Sequence, residues 1–339
     1  MIAIPNRANL IFSKVSQDRA VWATKQRSQG IGGSEVATLF GLNDFTTQIE
    51  LFYNKVKLIK PMPENIATYS GKIQEDIIAK KYFVFYDPTN PTDEVMLRNI
   101  EAKKEIRNIE RFNQVMQMKD HPIVLNVDRL VLDEYVPDGA VLEIKNLLKW
   151  VVRQYESEIL PSHQIQIQTY MLGTGFKTAY LAYLLDGREF RCYEFAANPA
   201  VQAAIIERAT AFWKIVVEAR EIWNDPTLTP DAKLLMLYDL EPPMEGNESL
   251  KEFMNLRFKE EGKKGKIIMN EEAAGFIAHY KMHREEETKA KGEKEVYGNN
   301  LRSFLLANQC DEITSLDGKV IASNRESSTK AGSFTLRVN

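Results

Sequence analysis

The middle of the chain carries the sequence pattern that most constrains its fold. Two apolar runs, Ile123-Val124-Leu125 and Leu130-Val131-Leu132, lie on either side of Asp128, and a third run leads into Glu143-Ile144-Lys145. Short apolar runs bounded by polar residues are typical of buried strands. Pro137-Asp138-Gly139 predicts a turn before the third run. We therefore expect an antiparallel hairpin that brings Asp128 beside the third strand.

The charged residues of this hairpin suit a particular chemistry. Glu143 and Lys145 are two residues apart, so on a strand both side chains project from one face. The carboxylates of Asp128 and Glu143 can hold one or two Mg²⁺ ions, which stabilise charge on a phosphate and acidify a bound water. Lys145 can orient or activate that water, or balance charge in the transition state. The pattern favours metal-assisted hydrolysis of a phosphodiester.

A Glu-x-Lys strand also has a structural explanation. On a solvated sheet face the two charges commonly form cross-strand ion pairs. Here Val141, Leu142 and Ile144 make the strand apolar around the charges, which indicates partial burial. Charged groups in such a place require partners or a metal ion.

Glu75 is the next candidate carboxylate. It lies on a predicted helix over residues 73–83, on the same face as Ile78, Ala79 and Tyr82. A carboxylate on an apolar stripe lies either at the rim of the helix or points at a cation. The pattern fits both positions equally.

Glycines near the N-terminus suit an anion. Arg27 precedes the turn Gly32-Gly33-Ser34, and Ser34 is predicted to cap a helix over residues 35–40. Free backbone N–H groups and the helix dipole would favour a phosphate there. An ordinary glycine turn closed by a serine cap explains the same residues, and by itself the pattern favours that explanation.

A basic ridge is predicted after the third strand. Lys145, Lys149 and Arg153 recur at intervals of four beside a predicted helix over residues 147–157, and could follow a DNA backbone. A solvated helix face fits them equally well. Trp150 lies within this ridge, where it could stack on a base or pack into the core, and we expect it in the core.

The remaining elements follow from periodicity and turn residues. A segment starting at Pro161 is predicted as a helix, although its alternating Ile and Gln also suit a strand. Asp186-Gly187 predicts a second hairpin between residues 178–185 and 188–195. Helices are also predicted over residues 18–26, 47–56 and 199–224, and a loop over 87–93. A proline-marked linker is predicted over 226–243, followed by a charged helix over 248–295 in which residues 259–266 form a solvated helix end. The last segment is predicted to contain a small helix and then strands around a turn at 316–319.

Composition narrows the class of protein without defining it. The chain has 339 residues, 44% hydrophobic residues and a formal charge of −3, which are values of a soluble globular protein. The small negative charge argues only weakly against nucleic acid as a partner, since binding depends on local patches. Two distant cysteines, no signal-peptide pattern and no membrane-spanning run predict a cytoplasmic protein. The histidines, including His121 and His163, lack metal-ligand spacing and are predicted to be structural.

Five ordered motifs resemble those of the YqaJ-type viral recombinases, relatives of phage lambda exonuclease within the PD-(D/E)xK nuclease superfamily. Their order and spacing agree over about residues 20–215, which is far more specific than any single motif. The motifs are residues 27–35 with Gly30-Ile31-Gly32-Gly33-Ser34, then Gly71-Lys72-Ile73-Gln74-Glu75, Asn126-Val127-Asp128, Leu142-Glu143-Ile144-Lys145, and Gln166-Ile167-Gln168 followed by Tyr170 and Gly175.

The resemblance implies a fold and an activity. The fold is an α/β, restriction-endonuclease-like PD-(D/E)xK core with a central mixed β-sheet flanked by helices. A helical C-terminal extension ends in a small strand-rich tail. The activity is Mg²⁺-dependent digestion of one strand of double-stranded DNA from its 5′ end, with Mn²⁺ as a substitute. Such enzymes work beside a single-strand annealing protein, and some form ring-shaped trimers.

The resemblance also implies a role for each matching residue. Asp128, Glu143 and the carbonyl of Ile144 would bind the metal, and Lys145 would serve the attacking water. Glu75 would support the metal site, while Gln166 would position the phosphate or the water. Arg27 and Ser34 would hold a terminal 5′-phosphate.

The chain departs from the family pattern beside the metal site. The family often has Pro-Asp-Gly around the metal aspartate, where this chain has Val127-Asp128-Arg129. Asn146-Leu147 follow the lysine in place of a small polar pair. Asn126 stands where a serine is expected, and Val151 where a basic residue is expected, although Lys149 and Arg153 flank it.

We therefore expect three parts in the chain: a nuclease core over residues 1–225, a linker and charged helical extension over 226–298, and a small α/β tail over 299–339. Two alternatives to an exonuclease remain at this stage. One is an endonuclease or branched-DNA enzyme on the same fold, because fold does not determine substrate. The other is a binding module without catalysis, against which the intact Asp128, Glu143 and Lys145 argue.

Overall fold

The fold was analysed in a computed structural model. It describes residues 2–16, 26–43, 45–56, 66–244, 246, 250–251, 253–255, 259, 269–307, 309–314, 320–326 and 334–338. Most of the predicted helix over 18–26, most of the segment 259–266 and the predicted turn at 316–319 lie outside these residues. The chain divides into two compact units, residues 1–262 and 263–339. The predicted three-part division stays a prediction.

The described strands of the first unit form two sheets. In chain order they are β1 (Leu10–Lys14), β2 (Ile31–Gly32), β3 (Ile109–Arg111), β4 (Gln114–Met118), β5 (Ile123–Leu125), β6 (Arg129–Asp133), β7 (Val136–Leu147), β8 (Thr178–Leu185) and β9 (Glu189–Ala196). The larger sheet has the order β3-β6-β7-β8-β9, and the smaller has the order β1-β4-β5-β2. In the larger sheet β7 and β8 are parallel while the other pairs are antiparallel. The predicted central mixed sheet is confirmed.

Helices cover this sheet. They are α1 (Gln48–Val56), α2 (Ile66–Lys81), α3 (Asp93–Glu101), α4 (Lys149–Val152), α5 (Pro161–Thr174), α6 (Pro199–Asn224) and α7 (Pro230–Tyr238). Alternating residues of β7 face opposite sides, as the pleat of a strand requires. Val141 joins the core cluster that includes Ile167 of α5, while Leu142 and Ile144 join the cluster that includes Ile78 of α2. The α/β class with helices on both faces of the sheet is confirmed.

Several predicted elements are confirmed, and others are wrong. The helices predicted over 47–56 and 199–224 are present as α1 and α6, and the segment at Pro161 is the helix α5. The second hairpin is β8-β9, and both of its turn residues, Asp186 and Gly187, have positive φ. The helix predicted over 147–157 is wrong, because only α4, a four-residue helix, forms there. The helices α3 and α7 were missed, one just after the proline-rich loop and one inside the predicted linker.

The turn of the first hairpin also differs from its prediction. β6 and β7 are joined at Glu134-Tyr135, where the Asp133 carboxylate accepts the Tyr135 N–H at 3.1 Å. Pro137-Asp138-Gly139 instead lies inside β7, opposite a register shift between Val131 and Asp133. Between the pairs Val131–Ala140 and Asp133–Val136, β7 has three residues where β6 has one, and Gly139 with its positive φ of 82° accommodates this bulge.

The second unit combines one long helix with a small sheet in its described part. α8 (Glu271–Ala307) is continuous through residue 299, so the predicted small helix is the end of a longer one. β10 (Glu312–Thr314), β11 (Val320–Glu326) and β12 (Phe334–Val338) form an antiparallel sheet. Throughout the described part of the chain, every helix is too short or too polar to span a membrane.

Candidate active site

The site lies where β7 extends beyond the end of β6. Arg129, the first residue of β6, pairs with Leu142. Continued by one residue, this antiparallel register sets Asp128 opposite Glu143. The Asp128 carboxylate accepts the Ile144 N–H at 2.9 Å. Because the N–H and C=O of one strand residue point the same way, the Ile144 carbonyl faces the same gap.

Glu143 is the most buried charged group of the site, with 1% of its surface exposed. One carboxylate oxygen, Oε1, accepts from the Gln166 amide at 2.6 Å and from the Lys145 ammonium at 2.5 Å. The other oxygen, Oε2, is buried and has no hydrogen-bond partner among the described residues. A buried carboxylate oxygen left unpaired is costly, so this atom is the best placed to receive a cation.

The electrostatics of the site reflect crowded carboxylates. Burial raises the pKa of Glu143 to about 8, with the Asp128 charge adding to the effect. Burial and the Asp128 charge together raise the pKa of Glu75 to about 7. Burial alone would lower the pKa of Lys145, but the charges of Glu143 and Asp128 raise it above its ordinary value. Such paired shifts are common at catalytic sites, where an added cation would relieve the repulsion.

These residues fit a hard divalent cation. The Glu143 Oε2 atom, the Asp128 carboxylate and the Ile144 carbonyl supply oxygen donors, which Mg²⁺ and Mn²⁺ prefer. In the described part of the chain no three His, Cys, Asp or Glu side chains are grouped to hold a metal. The candidate donors are therefore two carboxylates and one main-chain carbonyl. Glu75 interacts with Asp128 from the neighbouring helix without joining such a group.

A polar chain links this site to the glycine turn. Gln166 on α5 donates to the Tyr170 hydroxyl at 2.8 Å, and that hydroxyl donates to the Asn126 carbonyl at 3.0 Å. The Tyr170 ring lies so close to Gly33 that a Cβ there would overlap it. The i,i+4 spacing of Gln166 and Tyr170 was the available signal for this contact.

The glycine turn is organised differently from its prediction. Ser34 is exposed and does not cap a helix; the 3₁₀ helix over Val36–Phe40 begins after Glu35. The Glu35 carboxylate accepts the Gly32 N–H at 2.6 Å, and Gly33 donates to the Val124 carbonyl at 3.0 Å. These two N–H groups are thus used within the protein, one by the Glu35 carboxylate and one by the Val124 carbonyl.

Glu35 also gathers two cations. It pairs with Arg27 at 2.8 Å and with the buried Lys55 at 2.6 Å. Burial alone would raise the pKa of Glu35, but the charges of Lys55 and Arg27 hold it at about 2. This cluster could not be predicted from sequence patterns, because Lys55 lies on the amphipathic helix α1, where a lysine is expected to be solvated.

The predicted basic ridge does not form on one helix. Lys145 lies on β7 beside Glu143, Lys149 pairs with Glu189 of the second hairpin, and Arg153 is exposed after α4. The helix on which the ridge was predicted is four residues long, so these cations do not share a helix face, and their contact with DNA stays a prediction. Trp150 is 63% exposed, so its prediction as a core residue was also wrong.

His163 has a structural partner close to the site. Its Nδ1 lies 2.8 Å from the Tyr183 hydroxyl, and Tyr183 pairs in register with Lys145. Burial, with the Lys145 charge adding to it, lowers the pKa of His163 to about 3. The imidazole is therefore neutral at physiological pH, which suits a packing role rather than proton transfer.

The described part of the first unit is thus an α/β fold with a mixed sheet, in which Asp128, just before β6, lies beside Glu143-Ile144-Lys145 on β7. Residues 22–177 match the family of YqaJ-like viral recombinase domains. This match confirms the resemblance seen in the sequence motifs.

Other proteins are similar over a larger part of the chain. YqaJ of Bacillus subtilis (strain 168) is 28% identical over 264 residues, covering 75% of this chain and 68% of YqaJ. The crystal structure of an alkaline exonuclease from Laribacter hongkongensis matches with a TM-score of 0.44 and 17% identity, covering 58% of this chain and 92% of that one. A phage-related exonuclease from Haemophilus somnus 129PT matches with a TM-score of 0.33 and 7% identity, covering 56% and 95% respectively.

Proposed function

We propose that the chain is a Mg²⁺-dependent DNA exonuclease that digests one strand of linear duplex DNA from the 5′ end, leaving 3′ single-stranded tails. The observation that carries this proposal is the state of Glu143. One of its buried oxygens has no described partner, while the other is held by Lys145 and Gln166. The description of the matched family, a viral recombinase domain, supports a role in DNA recombination.

Each residue of the site has a task in this proposal. Asp128, Glu143 and the Ile144 carbonyl would hold Mg²⁺, for which Mn²⁺ can substitute. When bound there, the ion would supply charge neutralisation at the scissile phosphate and a lowered pKa for a bound water. Lys145 orients the attacking water while its charge balances the developing phosphorane. Gln166 holds Glu143 in place, and Glu75 supports the site from α2.

The glycine turn supplies the contact with the DNA end. Ser34 is exposed at this turn, and the Arg27 guanidinium is anchored beside it by Glu35. Tyr170 joins the turn to Gln166, so a 5′-phosphate held by Arg27 and Ser34 would lie at a defined distance from the metal. Lys149 and Arg153 contact the DNA backbone further along the strand.

The proposed partners follow from the resemblance. The enzyme acts on double-stranded DNA ends and passes the 3′ tails to a single-strand annealing protein in the cytoplasm, which is the bacterial host's if the gene is carried by a phage or prophage. A ring-shaped homotrimer would keep the enzyme on its substrate. Light scattering of the purified chain measures this oligomeric state directly.

The test uses linear duplexes labelled at either the 5′ or the 3′ ends, with a closed circle as control, incubated with Mg²⁺. Stepwise release of the 5′ label, with the circle intact, is the expected result. Phosphorylated and hydroxyl 5′ ends are then compared with Arg27→Ala, which should lose mainly the preference for phosphorylated ends. A cut circle would establish an endonuclease, and no cleavage with Mg²⁺ or Mn²⁺ would establish a binding module.

A further inference from the structure

Arg129 connects the start of β6, next to Asp128, to the helix α2. Its side chain is almost fully buried, with 3% exposed, at the first position of β6. One guanidinium nitrogen, Nη1, donates to the main-chain carbonyl of Asp128 at 2.7 Å. Another, Nη2, pairs with the Asp76 carboxylate on α2. The guanidinium thus bridges the backbone of one candidate metal ligand and the helix that carries Glu75.

Asp128 is consequently held at two points. Its carboxylate accepts the Ile144 N–H, which fixes the side chain against β7. Its carbonyl accepts from Arg129, which fixes the backbone just before β6 begins. Asp128 lies just before β6, where its carbonyl is outside the hydrogen-bond ladder of the sheet. The Arg129 side chain supplies the hydrogen bond that this carbonyl would otherwise lack.

The bridge also balances charge between helix and hairpin. Glu75 and Asp76 are consecutive on α2, and the negative charges of Glu75 and Asp128 oppose each other. The Arg129 cation acts against this repulsion from between the two elements. A guanidinium suits this task because its planar fork serves two acceptors in different directions, whereas an ammonium acts as a point charge.

We propose that Arg129 is a positioning residue of the metal site, fixing Asp128 and the Glu75-bearing helix α2 relative to each other through Asp76. The inference rests on the proposed function, since it assigns Asp128 to the metal.

The test measures metal affinity without DNA. Mn²⁺ is titrated calorimetrically into the full-length wild type, Arg129→Met, Arg129→Lys, Asp76→Asn and the double variant Arg129→Met/Asp76→Asn. Residues that orient metal ligands typically change metal affinity by about 10- to 100-fold when substituted. Arg129→Met should weaken Mn²⁺ binding by about that factor. The Mn²⁺ affinity of Arg129→Lys should lie between those of the wild type and Arg129→Met, because lysine keeps the positive charge but lacks the planar guanidinium that serves two acceptors.

Asp76→Asn and the double variant test the bridge itself. If Arg129 acts through Asp76, the losses in affinity will not add, and the double variant will bind Mn²⁺ as Arg129→Met does. Arg98→Met is the matched control, because Arg98 also pairs with a helix carboxylate, that of Glu94, but is 67% exposed and lies on α3. It should leave Mn²⁺ affinity unchanged. Thermal unfolding of every variant identifies losses that arise from misfolding.

The outcomes separate this inference from the proposed function. Unchanged Mn²⁺ affinity in a folded Arg129→Met, or in Arg129→Lys and Asp76→Asn if the methionine variant does not fold, would overturn the positioning role. Fully additive losses would overturn the Asp76 bridge. A wild type that binds Mn²⁺ and depends on Arg129 for it, yet cleaves no DNA, would overturn the proposed exonuclease while supporting the inference. A wild type that binds no Mn²⁺ would overturn both.

Discussion

The pKa of the Glu143 carboxyl group is raised, and a bound metal ion would lower it. Its pKa of about 8 means that the folded protein binds a proton there more tightly than the unfolded chain, whose ordinary value is 4.5. Without metal, this group therefore lowers the free energy of unfolding as the pH rises from about 4.5 through about 8. A divalent cation competes with that proton and binds the carboxylate form.

Mg²⁺ should therefore stabilise the protein more at pH 8.5 than at pH 6. We expect the rise in melting temperature on adding Mg²⁺ to grow across the range in which Glu75 and Glu143 lose their protons, about 7 to about 8. Calorimetric or fluorescence melting with Mg²⁺ or EDTA measures this. Glu143→Gln should remove most of the dependence; an equal stabilisation at both pH values would contradict the assignment of Glu143.

Substitution of Lys145 tests the cleavage step and not the binding of the substrate. Replacing it as Lys145→Met should reduce the cleavage rate by about 10²- to 10⁴-fold, the range typical of groups that manage protons in a transition state. The affinity for DNA, measured with Ca²⁺ in place of Mg²⁺, should change little, because the proposed role of Lys145 is on the attacking water and not in holding the DNA. Lys289→Met, on the exposed face of α8, is the control. Cleavage at the wild-type rate would remove Lys145 from the mechanism.

Among the elements, α5 connects the candidate active site to the glycine turn through Gln166 and Tyr170. Gly33→Ala should push the Tyr170 ring away, since a Cβ at this position overlaps it. Overpacking of this kind costs about 1–3 kcal/mol in the free energy of unfolding. Loss of the Tyr170 contacts with Gln166 and Asn126 should also lower activity. Urea unfolding and cleavage assays measure the two effects.

Gly71 provides the matched control for that substitution. It lies within α2, where an added Cβ has no neighbour within 4 Å among the described atoms. Gly71→Ala should stabilise the helix by up to about 1 kcal/mol, because alanine has the higher helix propensity. If Gly33→Ala were equally harmless, the packing of Tyr170 against the turn would have no energetic role.

Local patterns predicted some elements of the fold and failed for others, for identifiable reasons. Asp186-Gly187 predicted its hairpin because a two-residue turn with positive φ at both positions is set locally. Pro137-Asp138-Gly139 was assigned to the wrong feature because a bulge uses the same residue types as a turn. Glu134-Tyr135 gave no comparable signal, since Asp133 closes that turn with its side chain.

The same distinction holds in the site. Asp128, Glu143, Lys145 and Gln166 could be predicted from spacing and resemblance, and the structure brings the four together. The pairs of Glu35 with the buried Lys55 and of the buried Arg129 with Asp76 could not be predicted in this way. Each joins elements that are distant in sequence, and a charged residue on an amphipathic helix predicts solvent exposure unless its partner is known.

At the scale of the whole molecule, the candidate site belongs to one unit. Every proposed catalytic or DNA-binding residue and both hydrophobic clusters lie within residues 1–262. This unit extends beyond residue 225 because Leu237 and Leu250 are buried in its core. A core that is complete within one unit should fold without the rest of the chain.

A fragment ending at residue 262 should therefore fold and keep Mg²⁺-dependent cleavage of short linear duplexes. Circular dichroism and the end-labelled assay measure both properties. A shorter fragment ending at residue 225 is the control, and it should be less stable because it lacks Leu237 and Leu250. If the 262-residue fragment folds but is inactive, residues 263–339 are required for activity.

β7 continues past the start of β6, so the backbone amide of Ile144 can report on the state of the candidate site. The Ile144 N–H has a carboxylate, that of Asp128, as its partner where a strand would ordinarily supply a carbonyl. Its exchange with deuterium therefore depends on how the Asp128 side chain is engaged, whereas amides within the β7–β8 ladder depend on opening of the sheet. A single exchange rate, read by NMR, would follow occupancy of the site in solution with no substrate present.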